Sequence, residues 1–514
     1  MNPSPPAATT APDTSLSRWQ RWVVLGVVST ALLLIALDNT ILYTALPTLS
    51  SELDASSSEQ LWIINAYPLL MVGLLLGSGS LGDRFGHKRI FQVGLVIFGL
   101  ASLAAAFAPT ALLLIVARAL LGVGAAAMMP ATLALLRITF ALERERNVAI
   151  GVWSATASVG MALGPIVSGA LLEHFWWGSV FLINVPLAIM ASVLIVLVGP
   201  RNVANPLRRW DALSSALALI GMSAAVLALK TWAELPIDYP LAGASTVFAA
   251  AVLYIFTRRQ LRLSRSGEPL VDFAIFTNRG FSGGVLAAGI SIFGIVGIQL
   301  VVTQRYQLLE GFSPLEAGLV VSALAAAALP FALFGGAVLH RVGLLVLVGG
   351  GLTLAAVSAG ITVFGAWQDS LAVLVAGLLG IGAGLGAAMS VASSAIMGNV
   401  PPRRAGMAAS LEEVSYEFGG LVGVATMGSL LTLIYTRALS LSDGAAGWAR
   451  QPPAAALQSG DAAAATAAAE SFDLAYLVVL IAVAVVVLLG ALGSALLLRR
   501  YTPGTASQRY PDNH

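Results

Sequence analysis

Cysteine is absent from this 514-residue chain, and charge is scarce. Without a thiol there can be no disulfide, no thiolate metal site and no cysteine nucleophile. Asp, Glu, Lys and Arg make up only 10% of the residues, against about 25% in soluble domains. Most of the chain therefore cannot present a water-facing surface. The four histidines, His87, His174, His340 and His514, are scattered and lack metal-ligand spacing, so no metal is expected. A net charge of +2 gives no footing for a nucleic-acid partner. There is no G-x-x-x-x-G-K-[ST] loop to cradle a nucleotide, and no nucleophile constellation marks an enzyme. Neither catalysis nor a bound cofactor is expected. The first 17 residues are rich in Pro, Ala, Ser and Thr and lack the apolar core of a signal peptide, so the first apolar run should remain as a membrane helix.

Apolar residues dominate, at 58%, with a mean hydropathy of +0.88. About 20 consecutive apolar residues cross a bilayer as a helix. In lipid the backbone must satisfy itself, which leaves only helices or closed barrels. The runs here are continuous rather than alternating, so helices are predicted. Fourteen spans fit: 22–46, 61–80, 90–108, 111–134, 148–172, 178–199, 211–230, 240–257, 281–304, 315–339, 342–364, 370–397, 405–434 and 473–498. Twenty-two of the 27 lysines and arginines fall on one set of loops, four on the other, and Arg118 lies within a helix. The positive-inside rule then puts both termini in the cytoplasm of a multi-pass inner-membrane protein. Residues 436–472 form a long outer loop. Alanine-rich stretches at 444–457 and 461–470 favour helix, Gln451-Pro452-Pro453 interrupts them, and a short outer hairpin is expected.

Several local patterns carry more than hydropathy. The turn after the second helix reads Gly79-Ser-Leu-Gly82-Asp83-Arg84-Phe85-Gly86-His87-Lys88-Arg89. Its glycines allow tight turning and close approach, and Asp83 suits the positive end of a neighbouring helix. Inside the fourth helix, Arg118 precedes Gly122 and Gly124; a cation there needs a partner or a cavity. The fifth helix carries Gly151, Gly160, Gly164, Pro165 and Gly169, small residues that let helices close on one another. Asp38 is an acid inside the first helix, where charge is expensive unless used.

These patterns resemble the signature motifs of the major facilitator superfamily. The turn around Asp83 is similar to its loop between helices two and three, and the fifth-helix glycines to its antiporter motif, with Ser168 replacing one of the paired glycines. Leu37-Asp38-Asn39-Thr40, Gln60-Leu-Trp62, Gly151-Val-Trp153, Leu171-Leu-Glu173 and Phe181-Leu-Ile-Asn184-Val-Pro186 resemble the drug:proton antiporter-2 family of fourteen-helix pumps, and within it the quaternary-ammonium pumps of the QacA and SmvA type. The resemblance covers most of the chain, strongest over 20–200 and 395–435. It implies an all-α polytopic fold: a six-helix bundle at 22–200, two extra central helices and a linker at 201–280, a second six-helix bundle at 281–498, and cytoplasmic tails at 1–21 and 499–514. Gly82, Asp83, Arg84, Gly86, Arg118, Gly160, Gly164, Pro165 and Gly169 would serve the conformational cycle.

The thirteenth helix contains Glu412-Glu413-Val-Ser-Tyr416-Glu417. Glu413 and Glu417 share a face, and Glu412 points about 100° away. Three carboxylates within two turns repel if all are ionised, so the cluster suits binding a proton or pairing with a cation. A hydrated helix end is the alternative. QacA-type pumps have a similar acidic segment at this place. Such relatives can also carry acids in the second and tenth helices, whereas here the second reads Leu61-Trp62-Ile63-Ile64-Asn65-Ala66-Tyr67 and the stretch from Pro330 to Gly336 in the tenth has no carboxylate. Trp62, Tyr67 and Tyr416 could line a cation-π pocket or serve as ordinary packing.

The expected function is export of lipophilic organic cations, such as quaternary ammonium compounds, biguanides and cationic dyes, in exchange for protons. Asp38, Glu412, Glu413 and Glu417 would carry coupling and cation binding in a monomer set in the lipid bilayer. An exporter of a neutral or anionic metabolite, or a membrane sensor that does not transport, are the rival readings.

Overall fold

The protein is described by a computed structural model. It describes residues 16–501 apart from 56, 206–210, 234–236, 267–268, 313, 402–403, 443–446, 448–452 and 458–460. Most of the two expected tails lies outside these residues. Among those described, every regular element is helical. Thirteen stretches are long and apolar enough to cross a membrane. The 32-residue α5 (Glu143–His174) is the other helix of that length.

The first bundle holds α1 (Arg18–Glu52), α2 (Ser57–Phe85), α3 (His87–Ala106), α4 (Ala111–Thr139), α5, and the pair α6 (Ser179–Leu182) and α7 (Asn184–Val198). Here α4 packs on α2 and α3, while α1 packs on α5 and α7. The sixth span, expected as one helix, is broken before Asn184. Pro186 has no N–H to offer the carbonyl four residues back, which falls at Leu182. Then come α8 (Ala212–Ala233) and α9 (Tyr239–Ser266), a 3-10 turn at Phe273–Thr277, and α10 (Arg279–Leu308), α11 (Pro314–Val342), α12 (Gly350–Trp367), α13 (Leu371–Gly398), α14 (Ala405–Ser440), α15 (Pro453–Leu457) and α16 (Ala462–Leu498). In this second bundle α13 packs on α11 and α12, and α10 on α14 and α16. There are two large apolar cores: one fills the first bundle and extends to the start of α10, the end of α13 and the start of α14, and the other lies within the second bundle.

The bundles meet along α5 with α11 and α2 with α14. The extra pair lies beside that seam: α8 packs on both α2 and α14 as well as on α9. Leu69 and Val72 of α2 and Val226 of α8 form a small core there, with Phe418 and Leu421 of α14 against it. Beside α8 and α9, Arg259 holds Asp211 through two guanidinium nitrogens, Nε at 3.1 Å and Nη2 at 2.8 Å. Burial alone would push the Asp211 carboxyl up; bonds from Ser214 and Arg259 reverse that and hold it below the ordinary carboxylate range.

Two expectations change in detail. Where the outer hairpin is expected, the described residues form a five-residue α15 packed on an early start to α16. Asp461 caps α16 by accepting from Ala463 and Ala464, so the second alanine-rich stretch runs straight into the last span. The break at Gln451 and Pro452 lies outside the described residues. In addition, four basic residues assigned to loops are buried or half-buried within helices: Arg137, Arg146, Arg305 and Lys230. Arg305 shows why burial is tolerated. It meets Glu310, Asp369 and Asp473 at 3.1, 3.0 and 2.9 Å and lies over the rings of Tyr306 and Tyr476. A buried cation with three anionic partners and two π faces is compensated.

Candidate functional site

The first bundle encloses a charge pair in its interior. Asp38 of α1 and Arg118 of α4 form an ion pair in which both side chains are 1% exposed. The remaining valences are largely filled. The Arg118 Nε donates to the Ile63 carbonyl at 3.2 Å, and its guanidinium lies 4.8 Å from the centre of the Tyr67 ring. Asn184 of α7 donates to Asp38 at 3.4 Å and to Ser102 of α3 at 3.3 Å. Five helices thus converge on one pair. Gly122 permits this, because a Cβ there would strike the Tyr67 carbonyl, so α4 can bring Arg118 against α2. Arg118, a cation within a helix that needs a partner or a cavity, thus bonds both an acid and a carbonyl.

The fifth-helix motif backs the same region. Cβ atoms on Gly160 and Gly164 would run into Ala36 and Thr40, on either side of Asp38. One turn further, the Ser168 hydroxyl donates to the Ile41 carbonyl at 3.2 Å. Gly160, Gly164 and Ser168 therefore form a continuous seam along α1, and a serine fits the last position by bonding the backbone it faces. Gly169 is not on that seam and has open space around it. The side chain of Pro165 lies outside the described residues.

The second bundle presents its acids differently. Glu412 and Glu413 are buried on α14, and Glu417 is half-buried one turn on. Glu412 Oε1 accepts from Ser393 of α13 and, at 3.0 Å, from the Tyr416 hydroxyl. Glu412 Oε2 and Glu413 Oε1 are enclosed with no hydrogen-bond partner among the described residues. No ion pair joins any of the three to a described base. The cluster lies within the packed part of the helix, not at a hydrated end.

The Asp83 turn lies where the bundles touch. Gly86 adopts φ +93°, a conformation open to glycine at no steric cost, and the chain reverses there into α3. Asn202 braces the turn, donating to the Phe85 carbonyl at 2.8 Å and accepting from the Arg89 N–H at 3.1 Å. Asp83 meets His87 at 3.2 Å. Its Oδ1 would lie 2.8 Å from a Cβ on Gly406, in the first turn of α14. That is the favourable end of the helix dipole for an anion. Gly82 leaves room for the His87 ring, and the Arg84 guanidinium stacks 5.0 Å from the Phe85 ring. Close by, Ser410 of α14 donates to the Leu75 carbonyl at 2.7 Å. Arg137 of α4 reaches the carbonyls of Met397 and, at 2.9 Å, Val400, just past the end of α13. These contacts tie the bundles together at the end bearing the Asp83 turn.

The aromatic residues divide. Tyr67 is fully buried under Arg118 and Tyr416 is bonded to Glu412, whereas Trp62 is 48% exposed and apart from both clusters. Sequence reasoning did not anticipate Ser393, Ser102 or the Lys230 contact. Lys230 of α8 donates to Asn65 of α2, within the acid-free stretch 61–67. A lysine within the apolar run of α8 was the available signal.

A sequence profile of the Major Facilitator Superfamily matches residues 28–423. The methyl viologen resistance protein SmvA of Salmonella typhimurium is 37% identical over 429 residues, covering 83% of this chain and 86% of its own. The multidrug efflux pump LfrA of Mycolicibacterium smegmatis is 37% identical over 464 residues, 89% of each chain. Among solved structures, the proton:xylose symporter XylE aligns over 95% of this chain and 97% of its own, with a TM-score of 0.59 at 14% identity, a likeness of fold. The chain belongs to the major facilitator superfamily, in the same family as SmvA and LfrA.

Proposed function

We propose that this chain is a drug exporter of the inner membrane, a monomer with fourteen membrane crossings, that exchanges protons for lipophilic organic cations. Both termini face the cytoplasm, and the proton gradient is the energy source, with no bound cofactor. Export of toxic organic molecules is supported by the relatives, which include a multidrug efflux pump and a protein named for resistance to methyl viologen. Choice of cations and of protons rests chiefly on one observation: two acids enclosed and a third half-buried on α14, with no described base paired to them. An enclosed carboxylate without a counter-ion is costly, and either a proton or an organic cation relieves it. One group cannot hold both at once, and this competition is the coupling.

In this cycle Glu412, Glu413 and Glu417 bind the cation or the proton, and Asp38 with Arg118 reports occupancy to the first bundle. Asp83 and the α5 glycine seam serve the rocking of the bundles. The test uses purified protein and a panel including tetraphenylphosphonium, quaternary ammonium compounds and neutral and anionic controls. Cation binding should release protons and weaken as pH falls, and a pH gradient across proteoliposomes should drive cation accumulation. Cation binding unchanged between about pH 5 and 8, or transport only of the neutral or anionic controls, would overturn the reading.

A further inference from the structure

We infer that Tyr67 is the switch joining the two charge clusters: its hydroxyl serves Glu413 and Glu417 in one arrangement of the bundles and Asp38 in another. This rests on the antiport reading above and assigns Tyr67 a role other than stacking on substrate.

Tyr67 is fully enclosed, on the helix of the first bundle that faces α14. Its ring is fixed from one side by the Arg118 guanidinium at 4.8 Å. Its backbone carbonyl abuts Gly122 of the same helix as Arg118. Its hydroxyl has no hydrogen-bond partner among the described residues, although a buried tyrosine ordinarily finds one. The charged groups within electrostatic reach come from three helices: Asp38 of α1, Arg118 of α4, and Glu413 and Glu417 of α14. Acids of both bundles are thus in reach of one phenol, on the stretch of α2 where Leu69 and Val72 pack with Phe418, the residue after Glu417.

A phenol has one O–H to donate, so it can serve only one carboxylate at a time. While Arg118 satisfies Asp38, the hydroxyl is free for the α14 acids, where Glu413 Oε1 also lacks a partner. When a proton or an organic cation satisfies those acids, the donor is released toward Asp38. Occupancy of one bundle thereby changes the electrostatics of the other, through mutually exclusive hydrogen bonds rather than a continuous deformation.

The test is Tyr67→Phe, which keeps the ring under Arg118 and removes only the hydroxyl. In proteoliposomes, binding and counterflow of labelled tetraphenylphosphonium should stay within about twofold of wild type, while accumulation against a gradient falls about tenfold, as expected for one lost hydrogen bond to a charged group. Cation binding should also release fewer protons. Tyr67→Leu, which takes the ring from Arg118 as well, should lose counterflow too. Full uphill transport by either variant would overturn the role. So would a Phe variant whose binding and counterflow fall in step with uphill transport, since that is the signature of a pocket residue. Wild-type protein that accumulates no cation under a pH gradient would instead remove the antiport reading itself.

Discussion

The two bundles hold buried acids under opposite conditions. Asp38 is matched to Arg118 and bonded by Asn184. Glu412 and Glu413 each keep a carboxylate oxygen without a partner, and no base answers either. A buried ion pair is roughly balanced until one member is removed, and then the survivor is stranded. A lone buried acid is a standing cost, lifted by protonation or by a bound cation. The first arrangement is suited to holding structure and sensing change; the second is suited to binding.

The largest effect should come from breaking the matched pair. Asp38→Asn leaves Arg118 enclosed without its counter-charge, which costs about 3–5 kcal/mol. Thermal unfolding of the purified variant should shift down markedly, and driven efflux should be abolished even where protein still inserts. Normal efflux from a well-expressed Asp38→Asn protein would show that the pair is dispensable. The contrast sharpens with Glu413→Gln. It removes a lone acid, so the thermal midpoint should hold or rise, yet proton-driven transport should stop for every substrate. Glu412→Gln, bonded to Ser393 and Tyr416, should chiefly alter which cations are exported. A fall in stability for Glu413→Gln as large as that for Asp38→Asn would erase the distinction between the bundles. The smallest effect is expected at the seam. Asp83→Asn weakens an anion at the start of α14, worth about 0.3–1 kcal/mol, so transport should slow a few-fold for all substrates alike. Loss confined to one substrate would place Asp83 in recognition instead.

Features contained within a few consecutive residues were legible in the sequence. The Asp83 turn, the glycine seam of α5 and the acid run of α14 each declare themselves by spacing, and their helices follow from apolar length. What needed the structure was long-range pairing. Asp38 and Arg118 lie 80 residues apart, and nothing in either neighbourhood selects the other. Neutral partners such as Ser393, Ser102 and Asn184 carry no charge to attract notice. Basic residues misled for a related reason. Counting by proximity to helix ends put Arg137, Arg305 and Lys230 in loops, whereas α4, α10 and α8 run on to Thr139, Leu308 and Ala233 and hold each base in a last turn. Gly169 is the reverse case: its spacing suggested a contact, and the helix turns it to open space.

Arg305 also constrains how this protein is made. Glu310 is five residues away, Asp369 follows after two more helices, α11 and α12, and Asp473 arrives only with α16. During synthesis the guanidinium is therefore inserted with one partner and acquires the others as the chain lengthens. The second bundle cannot close this node until α16 emerges, so a ribosome that stops before residue 473 leaves the guanidinium with two of its three acids. The order in which the chain is made is thus the order in which this cation is compensated, and its last partner comes with α16.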